Sequence, residues 1–108
     1  GAVRVVDNYN VMGPVKAALE SLTRYMAAEL GPKGIRVHAV SPGPLRTRAA
    51  SGISDFDTLM DKVASDSPLH ALVSIDDVGF TTAFLCTDYA RMITGNVIYV
   101  DGGYNIVA

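Results

Sequence analysis

Gly31-Pro32-Lys33-Gly34-Ile35-Arg36-Val37-His38-Ala39-Val40-Ser41-Pro42-Gly43-Pro44 is the stretch on which the fold turns. Gly31-Pro32 stops a helix, because glycine accepts the left-handed cap and proline cannot continue the hydrogen-bond ladder. Ile35 to Val40 is short and β-branched, which predicts a buried strand. Ser41-Pro42-Gly43-Pro44 then makes a tight loop.

Upstream, Met12 to Leu30 carries apolar residues at Met12, Val15, Leu19, Leu22 and Met26, with Ala18 and Tyr25 widening the stripe. Steps of three and four predict an amphipathic helix. Pro14 fits only its first turn, where no backbone bond is lost. Downstream, Arg46 to Ser54 is mostly small residues and reads as a loop. Asp55 to Ala64 reads as a short helix with Phe56, Leu59, Met60 and Val63 on one side, ended near Pro68. Ser74-Ile75-Asp76-Asp77 resembles a capping box opening a helix that carries Val78, Thr82, Phe84 and Leu85 to about Thr87. Asn96 to Val100 is a second strand, and Asp101-Gly102-Gly103 closes it as a structural turn. Helix, strand, helix, strand with short connections implies a right-handed crossover and a parallel pair. Parallel sheets have several strands covered on both faces, so one pair is too few. The expectation is therefore an α/β chain that forms the C-terminal part of a doubly wound parallel sheet.

Composition narrows the function classes. The chain of 108 residues is 49% hydrophobic and 19% charged, with a formal net charge of −2. No basic stripe favours nucleic acid. No apolar run approaches the ~20 residues of a membrane span. Cys86 is the one cysteine, which excludes an internal disulfide, suits a reducing cytoplasm and predicts a small buried core residue. His38 and His70 lack metal-ligand spacing, so no metal is expected; a core position suits His38 and a surface one His70. No internal repeat is present. The chain opens at Gly1 without methionine, which reads like a cut through a longer protein.

Asn8-Tyr9-Asn10-Val11-Met12-Gly13-Pro14-Val15-Lys16 carries the chemistry. Seven residues are close to two helical turns, so Tyr9 and Lys16 would lie nearly in line if both were helical. A late start at Pro14 would instead leave Tyr9 in the preceding loop. A phenol donates a proton, and a nearby ammonium favours its charged form. Spacing alone favours the plainer reading, a half-buried tyrosine and a solvated lysine, because a two-residue pattern is common by chance.

Tyr9 with Lys16, Gly31 to Val37, Ser41 to Thr47 and Gly95 to Gly103 stand in the order and spacing of the short-chain dehydrogenase/reductase family, and the chain resembles that family over essentially its whole length. Most members place the lysine four residues after the tyrosine, where this chain has Gly13. The seven-residue spacing, Tyr9 to Gly13, Ala49-Ala50-Ser51-Gly52-Ile53 and Phe84-Leu85-Cys86 look like the bacterial NADH-dependent enoyl-[acyl-carrier-protein] reductase branch.

The resemblance implies a Rossmann fold, with residues 1–108 as the C-terminal half of one NAD(P)-binding domain and its N-terminal half, including the glycine-rich phosphate turn, absent. It implies reduction of a trans-2-enoyl thioester on acyl-carrier protein by NADH, with NADPH as the alternative donor, in a cytoplasmic homotetramer. Tyr9 would hydrogen-bond the thioester carbonyl, and Lys16 would hold the nicotinamide ribose. Gly43, Pro44, Leu45 and Thr47 would meet the nicotinamide and its phosphates. Met12 would floor the acyl site beneath a lid of Ala49, Ala50, Ile53, Phe56 and Leu59; for Phe56 and Leu59, ordinary packing is an equal reading. Pro42 and His38 depart from the branch, which more often has alanine and asparagine there. Two other functions stay open: a family member reducing a ketone, and a non-catalytic piece that only assembles with other chains.

Overall fold

A computed structural model describes residues 1–45 and 56–108. They form two compact units, Gly1–Ala39 with Arg91–Ile98 and Val40–Ala90 with Tyr99–Ala108.

In the first unit, helix α1 spans Met12–Leu30, as its periodicity predicts, with Pro14 in the first turn. Its exit differs from expectation. Gly31 stays right-handed at φ −53°, and the chain tightens into a 3-10 turn over Gly31–Lys33. Proline's fixed φ suits the start of such a turn, so Pro32 prolongs the coil by one tighter winding. Gly34, at φ 77°, takes the left-handed cap and donates to the Gly31 carbonyl at 2.9 Å.

The face that α1 turns inward also differs. Gly13, Thr23 and Ala27 are buried, whereas Met12, Val15, Leu19, Leu22 and Met26 stay 38–53% exposed within this chain. At 3.6 residues per turn the two faces stand roughly a quarter-turn apart. Small residues win the inner face because the returning backbone comes close. A methyl added at Gly95 would lie 3.3 Å from the Ala27 Cβ. Thr23 satisfies its own hydroxyl there by donating to the Leu19 carbonyl at 2.9 Å.

Strand β1 occupies Ala39–Pro42, later than the Ile35–Val40 expected, and Ile35 is exposed. The reason is local. Val37 donates its N–H to Thr94 Oγ1 at 3.0 Å and accepts from Gly95 N at 2.8 Å. A side-chain bond thus replaces a rung, and regular pairing begins only beyond it. Strand β2 is Val97–Val100, and β1 and β2 are hydrogen-bonded neighbours. Ala39 donates to the Asn96 carbonyl and Gly43 to the Val100 carbonyl. Both strands advance together between those bonds, which is parallel register.

The second unit contains α2 (Phe56–Asp66), α3 (Ile75–Leu85), a 3-10 turn at Asp88–Ala90 and a terminal turn of helix, α4 (Tyr104–Val107). Val63, Leu85 and Ala90 are its buried apolar residues, and α2 packs on α4. The expected capping box is present at the start of α3: Ser74 Oγ accepts from Asp77 N, and the Asp77 carboxylate accepts from Ser74 N. Helix α3 ends at Leu85, two residues earlier than expected. Cys86 follows as its C-cap and is exposed, not buried. With Leu85 turned inward, the next residue points about 100° away around the helix.

Candidate functional site

Asn8, at φ 60°, is left-handed and turns the chain into Tyr9, which lies in the loop ahead of α1. The helix begins at Met12 and not as late as Pro14, yet Tyr9 still lies ahead of it, so the two-turn alignment of Tyr9 with Lys16 on one helix is not found. Tyr9 is tied to both sides: its N–H donates to the Val6 carbonyl at 3.2 Å, and its carbonyl accepts from Gly13 N at 2.8 Å. Its side chain is half-buried. A methyl added at Gly13 would stand 3.3 Å from the Gly1 carbonyl oxygen and 3.9 Å from Tyr9 Cδ2. A side chain at Gly13 would thus press on the Gly1 carbonyl and only touch the tyrosine ring.

Met12 begins α1, and Lys16 follows one turn later on its exposed side. Around Tyr9 lies an open cleft of about 860 Å³, walled by the segment from Gly1 to Asn10 and by Gly13, Pro14 and Ala17. The opening residues, which show no element in the sequence, are the wall of this cleft. Nothing in their composition signals that role.

Gly43, Pro44 and Leu45 belong to the second unit and are half-buried just beyond the carboxyl end of β1. Ligands of open α/β sheets bind in that location. Gly43 commits its N–H to the Val100 carbonyl at 3.0 Å. Pro44 has none, so Leu45 carries the next N–H along the loop. A methyl on Gly43 would meet Asp101 Cβ and Val73 Cγ1 at 3.3 Å and Asp101 Cα at 3.4 Å. A side chain here would have to push Asp101 or Val73 aside by a few tenths of an ångström. Phe56 and Leu59 are half-buried on α2, beside the fully buried Val63. Thr47, Ala49, Ala50 and Ile53 lie outside the described residues.

Sequence reasoning did not single out the residues that back Gly43. Asp101 is buried, and its carboxylate accepts from Gly103 N and Asn105 N, each at 2.9 Å, and from Asn105 Nδ2. An Asp followed by two glycines signals a turn of this kind, so the turn was legible; the loop it faces was not. His70 is exposed, as expected, with Nδ1 2.9 Å from the Ser65 carbonyl. His38 is half-buried, although its Nδ1 is closed off from solvent. Among the described residues, no group of three His, Cys, Asp or Glu could hold a metal ion, and no helix is long and apolar enough to cross a membrane.

Comparison with known proteins adds to this geometry. A family model described as enoyl-(acyl carrier protein) reductase matches residues 1–105. The chain is 51% identical over 108 residues to the enoyl-[acyl-carrier-protein] reductase [NADH] FabI of Escherichia coli, covering all of this chain and 41% of that protein. To the FabI of Neisseria meningitidis it is 54% identical, with the same coverage. The chain thus spans about two-fifths of the length of these curated relatives. Among solved structures, the Bacillus cereus enoyl-acyl carrier protein reductase with NADP+ and indole naphthyridinone superposes with a TM-score of 0.96 at 46% identity, over 99% of this chain and 42% of that one. The Aquifex aeolicus enoyl-[acyl-carrier-protein] reductase (NADH) gives 0.88 at 48% identity, over 97% and 41%. The likeness bears out the expected fold class, the C-terminal part of a doubly wound Rossmann sheet.

Proposed function

The chain belongs to the enoyl-(acyl carrier protein) reductase family, and from that premise we propose that the protein containing it reduces trans-2-enoyl thioesters on acyl-carrier protein in fatty-acid synthesis. In this reading residues 1–108 supply the C-terminal half of one NAD(P)-binding domain. The observation that carries it is the loop Gly43-Pro44-Leu45, placed beyond the carboxyl end of a parallel strand in a chain that also keeps Tyr9 seven residues ahead of Lys16.

NADH, or NADPH as the alternative donor, supplies the hydride when bound. Lys16 holds its ribose hydroxyls, and Gly43, Pro44, Leu45 and Thr47 receive the nicotinamide and phosphates. Tyr9 donates its phenolic hydrogen bond to the thioester carbonyl and stabilises the enolate as charge develops there, which is usually a large term in catalysis. Met12 floors the acyl site, and Ala49, Ala50, Ile53, Phe56 and Leu59 are its further substrate-binding residues. The reading extends to a cytoplasmic homotetramer.

The test follows NADH oxidation by the full-length protein with crotonyl and acetoacetyl thioesters in parallel. Turnover of the crotonyl substrate alone is expected. Turnover of acetoacetyl thioester with crotonyl left untouched would move the protein to ketone reduction.

A further inference from the structure

We infer that Asp101, clamped by Asn105 and assisted by Val73, is a positioning residue that sets the height of the loop Gly43–Leu45. The inference deepens the reading above and rests on it, since it assumes that this loop receives the cofactor.

All the parts lie within the second unit. Gly43 is bound to the end of β2 in two ways. Its N–H donates to the Val100 carbonyl at 3.0 Å, and the open side of its Cα faces Asp101 and Val73 so closely that a methyl there would reach them at 3.3 Å. The bond ties Gly43 to the residue just before Asp101, and the space a side chain at Gly43 would need is already taken by Asp101 and Val73. Asp101, in turn, has no freedom of its own. Oδ1 accepts from Gly103 N, Oδ2 from Asn105 N, and both receive Asn105 Nδ2. A buried carboxylate needs such donors to offset its lost hydration, and donors on both oxygens also prevent rotation of the side chain.

The turn that supplies those donors is itself held. The Gly102 carbonyl accepts from Leu69 N at 3.1 Å, and Gly103 sits against Pro68, where an added methyl would come within 2.9 Å of Cγ. Position thus passes from residues 67–71 through the terminal turn to Asp101 and then to Gly43. Beyond Gly43, the N–H of Leu45 inherits that height. Reacting geometry tolerates little error: a displacement of about 1 Å far from the chemistry can cost about a hundredfold.

The experiment uses the full-length protein and measures NADH affinity by fluorescence titration, KM for crotonyl thioester, and thermal midpoint. Gly43→Ala presses a methyl against Asp101 and Val73 and is expected to weaken NADH binding about tenfold, the loss of one hydrogen bond from a displaced Leu45 N–H. KM for the thioester and the melting point should change little. Val73→Ala removes Cγ1 but leaves Asp101 Cβ and Cα in place, so the double variant Gly43→Ala/Val73→Ala is expected to regain only part of the lost affinity. Asp101→Asn replaces one accepting oxygen by a donor facing Asn105 and is expected to weaken NADH several-fold. Should Gly43→Ala not fold, the Asp101→Asn titration decides alone. Unchanged NADH affinity in Gly43→Ala or Asp101→Asn, or full rescue by Val73→Ala, overturns the inference. A wild type that takes no NADH overturns the reading beneath it as well.

Discussion

Arg36 donates from Nη1 to His38 Nε2 across 3.3 Å. A guanidinium only donates, so the imidazole must accept there and carries its proton on Nδ1. That nitrogen is enclosed and meets no partner among the described residues. Burial first, and the Arg36 charge second, push the His38 pKa below its ordinary value.

The pH dependence follows. Unfolded, His38 takes its proton near the ordinary value of about 6.5; folded, it does so only at lower pH. Between those values the unfolded chain binds the extra proton, so stability falls as pH drops below about 6.5 and levels off beneath the folded value. Urea unfolding of the full-length protein between pH 5 and 8 is expected to show this decline. His38→Asn should remove part of it, and an identical profile in that variant would exclude His38 as the source.

The reciprocal bonds between Ser74 and Asp77 predict a second effect. Asp77 N lies 3.1 Å from Ser74 Oγ, and Ser74 N lies 2.8 Å from Asp77 Oδ2. Ser74→Ala is expected to cost about 1 kcal/mol, as loss of an N-cap does. The Ser74 backbone N–H first, and its hydroxyl second, hold Asp77 below the usual carboxylate value. Its contribution is therefore present above the unfolded pKa and lost as pH falls through the folded one. A Ser74→Ala melting curve matching wild type at neutral pH would contradict the cap.

Gly103 has φ 87° and lies against Pro68. Gly103→Ala must hold a side chain in the left-handed region and also displace the ring. The expected loss is about 1–3 kcal/mol, read from the urea midpoint at constant slope. An unshifted midpoint would mean that the terminal turn carries no stability.

Tyr9 and Lys16 separate by kinetics. Tyr9→Phe removes the donor to the developing oxyanion and is expected to lower kcat about a hundredfold or more, with KM for NADH little changed. Lys16→Met should instead raise KM for NADH. The reverse pattern would exchange their roles, and two active variants would remove both from the site.

Much of this was legible along the chain because it depends on neighbours. The span of α1, the place of Pro14, the Ser74 box and the second strand each follow from residues within a few positions of one another. Legibility failed where distant segments meet. Thr94 takes a bond from Val37 and delays β1, and Gly95 comes so close to Ala27 that the small face of α1 turns inward. Cys86 looked buried from its apolar neighbours, yet Leu85 alone of that run turns into the core.

The candidate site divides in the same way. The Tyr9–Lys16 spacing and the composition of Gly43-Pro44-Leu45 are local features, and a family's signature survives in them without coordinates. That Tyr9 stands off the helix, walled by residues 1–10, and that Asp101 lies under Gly43, needed the tertiary structure. Residue order by itself determined the elements, the parallel pair and the residues that could do chemistry, because propensity, capping and periodicity act over a few residues. Only the folded chain decided which faces are buried and what each glycine leaves room for, because close packing is settled between segments far apart in sequence.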